Sequence, residues 1–343
     1  MARTLDPYGL SRVVRPAGVL PQAADVVDPS LPIGPDELLI DVDHLNIDAA
    51  SFKQIKESVG GDPERIAAEV RRIVGERGKM HNPVTGSGGM LIGRIREVGP
   101  QHPAAGTLKA GDRIATLVSL SLTPLHLEAI TGVHVANERV DVKGTAILFA
   151  TGLWAKLPSD MDDKLALAAL DVCGAPALVA RAVKAGQTVL VLGAGKSGAL
   201  CCAQARDNGA RVIALDISPK AVETLKNLGL ADATIVADAT TPVAVLEQVR
   251  ALTDGKLCDV VINCSSVPRT EMASILSVKD RGTVVFFSMA TSFTAAALGA
   301  EGVGKDADLL VGNGYAHGHA ELTLDLLRKH PRLRALFEER FVG

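Results

Sequence analysis

The chain has 343 residues, a length that favours two domains over one. Its 36 basic and 39 acidic side chains nearly balance, which argues against dedicated nucleic-acid binding because no concentrated positive field is available. Hydrophobic residues make up 47% of the chain and aromatic residues 3%, so a disordered chain is excluded and an α/β enzyme is favoured over an aromatic binding module.

The first half of the chain predicts mostly strands and turns. Segments typical of strands occur at residues 37–42, 90–98 and 113–118. Residues 63–77 instead predict an amphipathic helix, because apolar side chains recur three and four positions apart. The N-terminal segment lacks an apolar leader and no run reaches the ~18 apolar residues of a membrane span, so we expect a cytoplasmic protein without a membrane partner.

The second half of the chain alternates strands with helices. Continuous apolar strands are predicted at residues 188–192, 211–215, 259–263 and 283–288. This alternation is typical of a doubly wound parallel sheet. We therefore predict an α/β protein with a β-rich domain over residues 1–150, followed by a parallel-sheet domain with a C-terminal helix over residues 151–343.

A glycine-rich loop follows the strand predicted at residues 188–192. It fits the dinucleotide-binding pattern G-x-G-x-x-G and consists of Gly193, Ala194, Gly195, Lys196, Ser197 and Gly198. The glycines allow a tight turn and close approach of the backbone to a pyrophosphate, which would bind at the start of the next helix. Leu190 stands where a P-loop needs glycine, so a dinucleotide is favoured over ATP. A glycine turn without a ligand is the alternative.

The cofactor is predicted from the residue that ends the next strand. Asp216 lies at about the 20-residue spacing expected for a carboxylate that binds the ribose 2′-hydroxyl. The same carboxylate would repel a 2′-phosphate, and no arginine follows it directly. We therefore predict NAD as the cofactor, while Lys220 keeps NADP open as the alternative.

Residues 93–118, taken with the glycine-rich loop, resemble the medium-chain dehydrogenase/reductase superfamily. The resemblance implies a GroES-like substrate domain before a Rossmann domain, in a homodimer. Residues 7–22, 82–93 and 318–328 are similar, within that superfamily, to amine dehydrogenases of lysine fermentation. This similarity implies a small 3,5-diamino acid substrate, oxidation of its C3 amine with hydride transfer to NAD, and release of a 3-oxo acid and ammonium.

The resemblance also indicates where zinc-dependent members carry their metal ligands. The matching positions are Asp48 and Gly86-Ser87-Gly88, which offer neither a thiolate nor an imidazole. Residues 119–129, which correspond to the structural-zinc lobe, contain no cysteine. Because zinc sites in this pattern use nitrogen and sulfur ligands, we predict that the protein binds no metal.

Three residues are predicted to be catalytic from the same resemblance. Asp48 would lie beside the nicotinamide and hold or deprotonate the substrate amine, with a capping aspartate as the alternative. Lys53 could act as the base if it is desolvated, with an exposed helix lysine as the alternative. Ser87 could bond substrate or water, with a turn hydroxyl as the alternative.

Substrate contacts are predicted at a second set of residues in loops and near the last apolar strand. The set comprises His81, Cys173, Asn313, Tyr315 and His317. His317, His319 and Glu321 resemble a metal cluster, but a helix beginning at Glu321 explains that carboxylate as well. Arg12, Arg94 and Lys53 are all open as ligands of the substrate carboxylate.

Two other functions stay open. One is a metal-free enone or quinone reductase of the same superfamily. Such an enzyme would prefer NADPH and a neutral apolar pocket, and Asp216 and Asp48 argue against it. The other is a dinucleotide-binding protein without catalytic activity. Reduction of NAD on addition of the diamino acid separates the three functions.

Overall fold

The computed structural model describes residues 5–342, and these divide into two compact units. Unit 1 ends at Pro158 and unit 2 begins at Ser159. Each unit has its own apolar core, with Ile40 and Leu91 in that of unit 1 and Leu190 and Val261 in that of unit 2. Burial of apolar surface therefore stabilises each unit separately.

Unit 1 is built on an antiparallel sheet. Its strands are β1 (Val13–Arg15), β2 (Val26–Val27), β3 (Leu38–Asn46), β4 (Met90–Val98), β5 (Arg113–Thr116), β6 (Leu125–His134), β7 (Arg139–Leu148) and β8 (Trp154–Lys156). β1 and β2 form a small ribbon, and the others form a six-stranded sheet in the order β6-β7-β3-β4-β5-β8. The predicted β-rich architecture of the first unit is confirmed, but the unit extends beyond the expected boundary at residue 150, because β8 pairs with β5.

Two α-helices interrupt the strands of unit 1, α1 (Ala49–Ser58) and α2 (Pro63–Arg77). α2 has the bounds that its apolar periodicity predicts. It begins where the Asp62 side chain accepts a hydrogen bond from the N–H of Glu64 at 2.8 Å, which satisfies a free donor of the first turn. It ends at Gly78, whose φ is +66° and where a Cβ would collide with the carbonyl oxygen of Val27.

The hairpin of β6 and β7 is the main element of unit 1 that the sequence pattern did not indicate. β6 lies at the edge of the sheet, pairs with β7, and has mostly half-buried or exposed residues. An edge strand of this kind carries a weak apolar alternation, because little of its surface faces the core. For this reason, residues 119–134 show no apolar alternation from which a strand could be predicted.

Unit 2 is built on a parallel sheet. Its strands are β9 (Thr188–Leu192), β10 (Arg211–Asp216), β11 (Ala233–Val236), β12 (Cys258–Asn263), β13 (Val278–Phe286) and β14 (Ala307–Val311). They follow the order β11-β10-β9-β12-β13-β14, with every neighbouring pair parallel. This is the Rossmann order, and the predicted doubly wound sheet is confirmed. Winding reverses between β9 and β12, where ligands bind beyond the carboxyl ends of the strands.

The helices of unit 2 cover both faces of this sheet, as the doubly wound topology requires. They are α3 (Asp163–Leu170), α4 (Gly174–Ala182), α5 (Lys196–Asp207), α6 (Pro219–Asn227), α7 (Pro242–Leu252), α8 (Glu271–Ser277), α9 (Phe293–Gly302), α10 (His319–Lys329) and α11 (Pro331–Phe341). Among the helices of residues 5–342, none is by itself long and apolar enough to cross a bilayer, although α3 and α4, bent by 50°, pass that test as a pair.

Candidate active site

The glycine-rich loop joins β9 to α5, and packing explains two of its glycines. Gly193 has a φ of +92°, a conformation that favours glycine, and a Cβ there would lie 3.1 Å from the carbonyl carbon of Cys264. At Gly198 a Cβ would collide with the carbonyl oxygen of Gly193. Side chains at either position would therefore force the turn apart.

Gly195 differs, because nothing lies within 4 Å of the place that its Cβ would occupy. It directly precedes α5, and no side chain caps the first N–H groups of that helix. Free N–H groups at a helix start, together with the positive end of the helix dipole, bind phosphate. The open space at Gly195 and the uncapped helix therefore fit the pyrophosphate of a dinucleotide.

Asp216, the last residue of β10, turns its carboxylate toward the glycine-rich loop. Its Oδ2 accepts a hydrogen bond from the N–H of Ala194 at 2.7 Å, and its Oδ1 accepts one from the N–H of Ser218 at 2.8 Å. A carboxylate oxygen has a second lone pair, so the group can still accept from a ribose hydroxyl. The carboxylate therefore fits the cofactor and also positions the loop, a second role that the spacing did not indicate.

The other two predicted residues of the loop, Lys196 and Ser197, open α5. The Lys196 ammonium pairs with Asp171 and lies 5.6 Å from the ring centroid of Phe341. Its side chain is thus engaged within unit 2. Lys196 and Ser197 would contribute to cofactor binding through their backbone N–H groups.

The loop after β14 brings three predicted substrate residues together. The Asn313 Oδ1 accepts a hydrogen bond from the N–H of Tyr315 at 3.3 Å, and the Tyr315 hydroxyl lies 3.0 Å from Nδ1 of His317. His319 packs edge-on against Tyr315 with ring centroids 5.1 Å apart, and burial lowers the pKa of its imidazole. The loop thus presents a phenol and an imidazole at the same edge of the sheet as the glycine-rich loop.

Cys173 directly precedes α4 and belongs to the same neighbourhood, because a Cβ at Gly174 would collide with the backbone of Gly314. Its own carbonyl accepts a hydrogen bond from the Thr323 hydroxyl at 3.3 Å. Burial raises the pKa of the Cys173 thiol to about 12, so it stays protonated at neutral pH. These contacts favour a packed thiol at this position.

The histidines near residue 317 do not form a metal site with other described residues. Within residues 5–342, no group of three or more His, Cys, Asp or Glu side chains is placed to hold a metal ion. His317 and His319 each pack edge-on against Tyr315 instead. Aromatic packing therefore accounts for this pair.

Asp48, in unit 1, caps α1 with one oxygen and leaves the other free. Its Oδ1 accepts a hydrogen bond from the N–H of Ser51 at 2.9 Å. Its Oδ2 is buried and has no hydrogen-bond partner among residues 5–342. A buried carboxylate oxygen without a partner is costly, and it is available to an ammonium or a water.

Two glycines allow close packing of the segment around Ser87, and one of them, Gly89, packs against the start of α1. A Cβ at Gly89 would lie 2.6 Å from the backbone nitrogen of Asp48, and one at Gly88 would collide with the carbonyl oxygen of Met80. Backbone approaches this close require the absence of a side chain. The structure therefore brings the Ser87 segment and Asp48 together.

Asn82, which the sequence did not single out, connects the same two segments. Its Nδ2 donates to Oε1 of Gln54 at 2.8 Å and to the carbonyl of Ser51 at 3.3 Å. Its Oδ1 accepts from the N–H of Val84 at 2.8 Å, and its own N–H donates to the carbonyl of Ser87 at 2.9 Å. Asn82 is fully buried and is one of two side-chain links between the Ser87 segment and α1, the other being a hydrogen bond of 2.5 Å between the hydroxyls of Ser51 and Thr85. Its one sequence signal is Asn-Pro, a turn pattern.

Lys53 does not have the desolvated environment that a catalytic lysine needs. Its side chain is 74% exposed, and its ammonium lies 3.8 Å from Glu57 one helical turn further on. The structure thus corrects the expectation of a desolvated base, and the alternative of an exposed helix lysine describes the residue.

The three cations considered for the substrate carboxylate are not equally free. Arg12 is fully buried and makes two hydrogen bonds to the Glu37 carboxylate at 2.5 and 2.6 Å. This paired group holds the fold of unit 1 and is withdrawn as a substrate ligand. Arg94 lies 3.9 Å from Asp43 and is half exposed.

Like Oδ2 of Asp48, Nδ1 of His81 is a buried polar atom that has no hydrogen-bond partner within the described residues. Burial lowers the pKa of its imidazole, and the positive charges of Lys79 and Arg77 lower it further. The lowered pKa favours the neutral ring, and the unpartnered Nδ1 is available for a hydrogen bond. Lys79 is fully buried and donates to the carbonyl of Pro21 at 2.7 Å.

Both halves of the chain match models of known protein families. Residues 11–158 match the model of the L-erythro-3,5-diaminohexanoate dehydrogenase N-terminal domain, and residues 198–303 match that of the zinc-binding dehydrogenases. The L-erythro-3,5-diaminohexanoate dehydrogenase of Acetoanaerobium sticklandii is 53% identical over 98% of each chain. The enzyme of the same name from Fusobacterium nucleatum is 52% identical over 97% of each.

Solved structures share the fold at low sequence identity. A quinone oxidoreductase of Pseudomonas syringae superposes with a TM-score of 0.56 at 21% identity, covering 91% of this chain and 88% of its own. An alcohol dehydrogenase of Thermotoga maritima gives 0.55 at 17% identity, covering 90% and 88%. The similarity to the two diaminohexanoate enzymes, which extends over nearly the full length of the chain, is the more specific finding. The chain belongs to the L-erythro-3,5-diaminohexanoate dehydrogenase family, within the medium-chain dehydrogenase/reductase superfamily.

Proposed function

We propose that the protein catalyses the NAD-dependent oxidative deamination of L-erythro-3,5-diaminohexanoate to 5-amino-3-oxohexanoate and ammonium. The observation that carries this proposal is the 53% identity, over 98% of both chains, to an enzyme of that name. Identity at this level over both units makes the protein an oxidoreductase acting on a CH–NH2 group. The site geometry supports the individual roles assigned below.

The cofactor is a nicotinamide dinucleotide, and we assign NAD rather than NADP. The uncapped start of α5 and the open space at Gly195 would hold the pyrophosphate. Asp216 supports NAD, because a carboxylate accepts from a ribose 2′-hydroxyl and repels a 2′-phosphate. When bound, the nicotinamide ring accepts the hydride that leaves C3 of the substrate.

Asp48 is assigned to the substrate amine. The free Oδ2 can hold the ammonium at C3 and accept a proton from it, which is needed because only the neutral amine releases hydride readily. Oδ1 meanwhile stays bound to the N–H of Ser51, so the carboxylate cannot rotate away. The same oxygen can afterwards orient the water that hydrolyses the imine.

Ser87 and His81 flank Asn82 in the segment that lies against the start of α1. Ser87 would donate a hydrogen bond to substrate or water, and the neutral His81 ring would accept one at Nδ1. Asn313, Tyr315 and His317 are proposed as further substrate contacts. Cys173 would contribute packing alone.

We propose that the reaction needs no zinc. Asp48 and Ser87 stand at the positions where the zinc-dependent relatives have metal ligands, and both present oxygen instead of sulfur or nitrogen. The ligand chemistry that zinc favours is therefore missing there. Polarisation of the substrate falls to the Asp48 carboxylate and to hydrogen bonds.

A homodimer in the cytoplasm is proposed as the working form. β14 pairs with β13 on one side, and its side chains Leu310 and Val311 are 43% and 51% exposed. An exposed apolar strand at the edge of a sheet is stabilised by pairing with a second copy. The mass of the purified protein in solution, measured by light scattering, tests this assignment.

The test of function is turnover by the purified protein. We expect reduction of NAD on addition of L-erythro-3,5-diaminohexanoate, with ammonium released in equal amount, and slower reduction of NADP. Full activity after dialysis against a metal chelator is expected as well. NADPH oxidation by a quinone with no turnover of the diamine would contradict the proposal, and nucleotide binding without either reaction would favour a non-catalytic protein.

A further inference from the structure

Two cysteines of unit 2 place their sulfur atoms side by side at the cofactor edge of the sheet. Cys201 lies on α5 and Cys264 directly follows β12, and their Sγ atoms are 3.7 Å apart. A disulfide has a sulfur–sulfur distance of ~2.05 Å, so the pair would have to close by about 1.7 Å. Side-chain rotation supplies much of a movement of this size.

The two cysteines differ in their access to solvent. Cys201 is fully buried, as are Cys173, Cys202 and Cys258, whereas Cys264 is half-buried. Burial raises the pKa of the Cys201 thiol well above its ordinary value, and the neighbouring Cys264 raises it further. Cys264 is therefore the thiol that a dissolved oxidant reaches first.

Cys264 also forms one wall of the glycine-rich loop. Its N–H donates to the carbonyl of Leu192 at 2.8 Å, and the loop residue Gly193 packs against its carbonyl group. The loop leads directly into α5, which carries Cys201. A covalent link between the two sulfurs would thus join the segment packed against Gly193 to the helix that follows the loop.

We propose that Cys201 and Cys264 are a redox-active thiol pair that oxidises to a reversible disulfide, and that this disulfide weakens dinucleotide binding at the glycine-rich loop. The second part rests on the cofactor site assigned above. Close backbone packing restricts the two ends of the loop, since a Cβ at Gly198 has no room beside the carbonyl oxygen of Gly193. Drawing Cys264 toward α5 shifts the backbone against which Gly193 packs.

The chemistry balances with hydrogen peroxide as oxidant. The Cys264 thiolate attacks one peroxide oxygen, which gives a sulfenic acid and, with the thiol proton, one water. The Cys201 thiol then attacks the sulfenic sulfur, the S–S bond forms, and a second water leaves. Two thiols are oxidised while one peroxide is reduced to two waters. A small dithiol reverses the step by thiol–disulfide exchange.

The experiment treats the full-length protein with hydrogen peroxide and follows two quantities separately. Intact mass and non-reducing peptide mapping report the cross-link, and titration calorimetry reports the dissociation constant for NAD. We expect a loss of two hydrogen atoms, one peptide pair joining residues 201 and 264, and a rise of about tenfold or more in the dissociation constant, which is ~1.4 kcal/mol. A dithiol should restore both values.

Variants separate the possible outcomes. Cys264→Ser should abolish the cross-link, while Cys202→Ala, one position from Cys201 on the same helix, should leave it intact. A cross-link between other cysteines, or over-oxidation of Cys264 without a cross-link, would overturn the first part. A correct cross-link with unchanged NAD affinity would overturn the second part. Failure of the reduced protein to bind NAD would instead count against the cofactor site, because the mass measurement does not depend on it.

Discussion

The two oxygens of Asp48 can be separated by substitution. Asparagine is as good a helix cap as aspartate, so Asp48→Asn keeps an oxygen that accepts from the N–H of Ser51 and removes the negative charge. Asp48→Ala removes the cap as well. Comparison of the two variants therefore distinguishes a capping role from a role in binding the amine.

The expected losses of turnover and of stability differ enough to distinguish a catalytic role of Asp48 from a capping role. Loss of a general base lowers turnover by roughly 100-fold to 10,000-fold, whereas loss of an N-cap costs ~1 kcal/mol of stability. We expect Asp48→Asn to lose turnover by at least about 100-fold with little change in the free energy of unfolding. Asp48→Ala should lose a similar amount of activity and also about 1 kcal/mol of stability.

The assay is steady-state reduction of NAD with the diamino acid as substrate, paired with urea unfolding of each variant. Asp62 provides the matched control, because it caps α2 in the same way. Asp62→Asn should leave both activity and stability close to those of the wild type. Retention of more than about half of the turnover by Asp48→Asn would refute the assignment, since loss of a base cannot be that small.

Three further outcomes follow from the structure. Asp216→Asn should lower the kcat/KM ratio of NAD to NADP by at least about tenfold, because the repulsion of a 2′-phosphate is removed. Asp232, which directly precedes β11 and accepts a hydrogen bond from the N–H of Val212, provides the control: Asp232→Asn should lower stability without changing that ratio. Asn82→Ala should raise KM for the diamino acid and lower kcat with KM for NAD unchanged, because it removes two of the hydrogen bonds that join the Ser87 segment to α1. Equal loss of affinity for both substrates would contradict this. Burial lowers the pKa of Lys79 to about 8; the charge of Arg77 adds to the shift and that of Asp25 opposes it. Between pH 8 and 10.5 the unfolded chain therefore binds a proton that the folded protein does not, so the free energy of unfolding should rise with pH across that window. Urea unfolding of Lys79→Met should show a smaller rise, and an identical rise would refute the buried ammonium as its source.

Unit 2 was predictable from sequence to a large extent because its signals are local. The strand Thr188–Leu192 is a short apolar run, and Gly198 is explained by a contact five residues away, with Gly193. Asp216 is fixed by the length of one strand–helix–strand unit. Each of these features is set by neighbours in the chain, so pattern and spacing were sufficient.

The site in unit 1 was less predictable because its contacts are distant in sequence. Asn82 acts through Ser51 and Gln54, about thirty residues away, and no periodicity reports such a contact. Lys53 shows the converse. Its position next to a proposed catalytic aspartate suggested a buried base, yet the 3.6-residue turn of α1 carries its side chain to solvent. Orientation around a helix depends on what the helix packs against, which the residue spacing alone does not fix.

Asp48 shows why opposing interpretations of one residue need not exclude each other. From the sequence, a capping aspartate and a catalytic aspartate are rival explanations of the same side chain. In the structure, Oδ1 accepts from Ser51 and Oδ2 is buried without a partner, so the cap accounts for only half of the group. The cap also restrains the direction of the free oxygen, and Gly89 packs closely against the backbone nitrogen of Asp48. A capping bond of this kind supplies the rigidity that a catalytic carboxylate needs, which is why the substitution that keeps the cap is the decisive one.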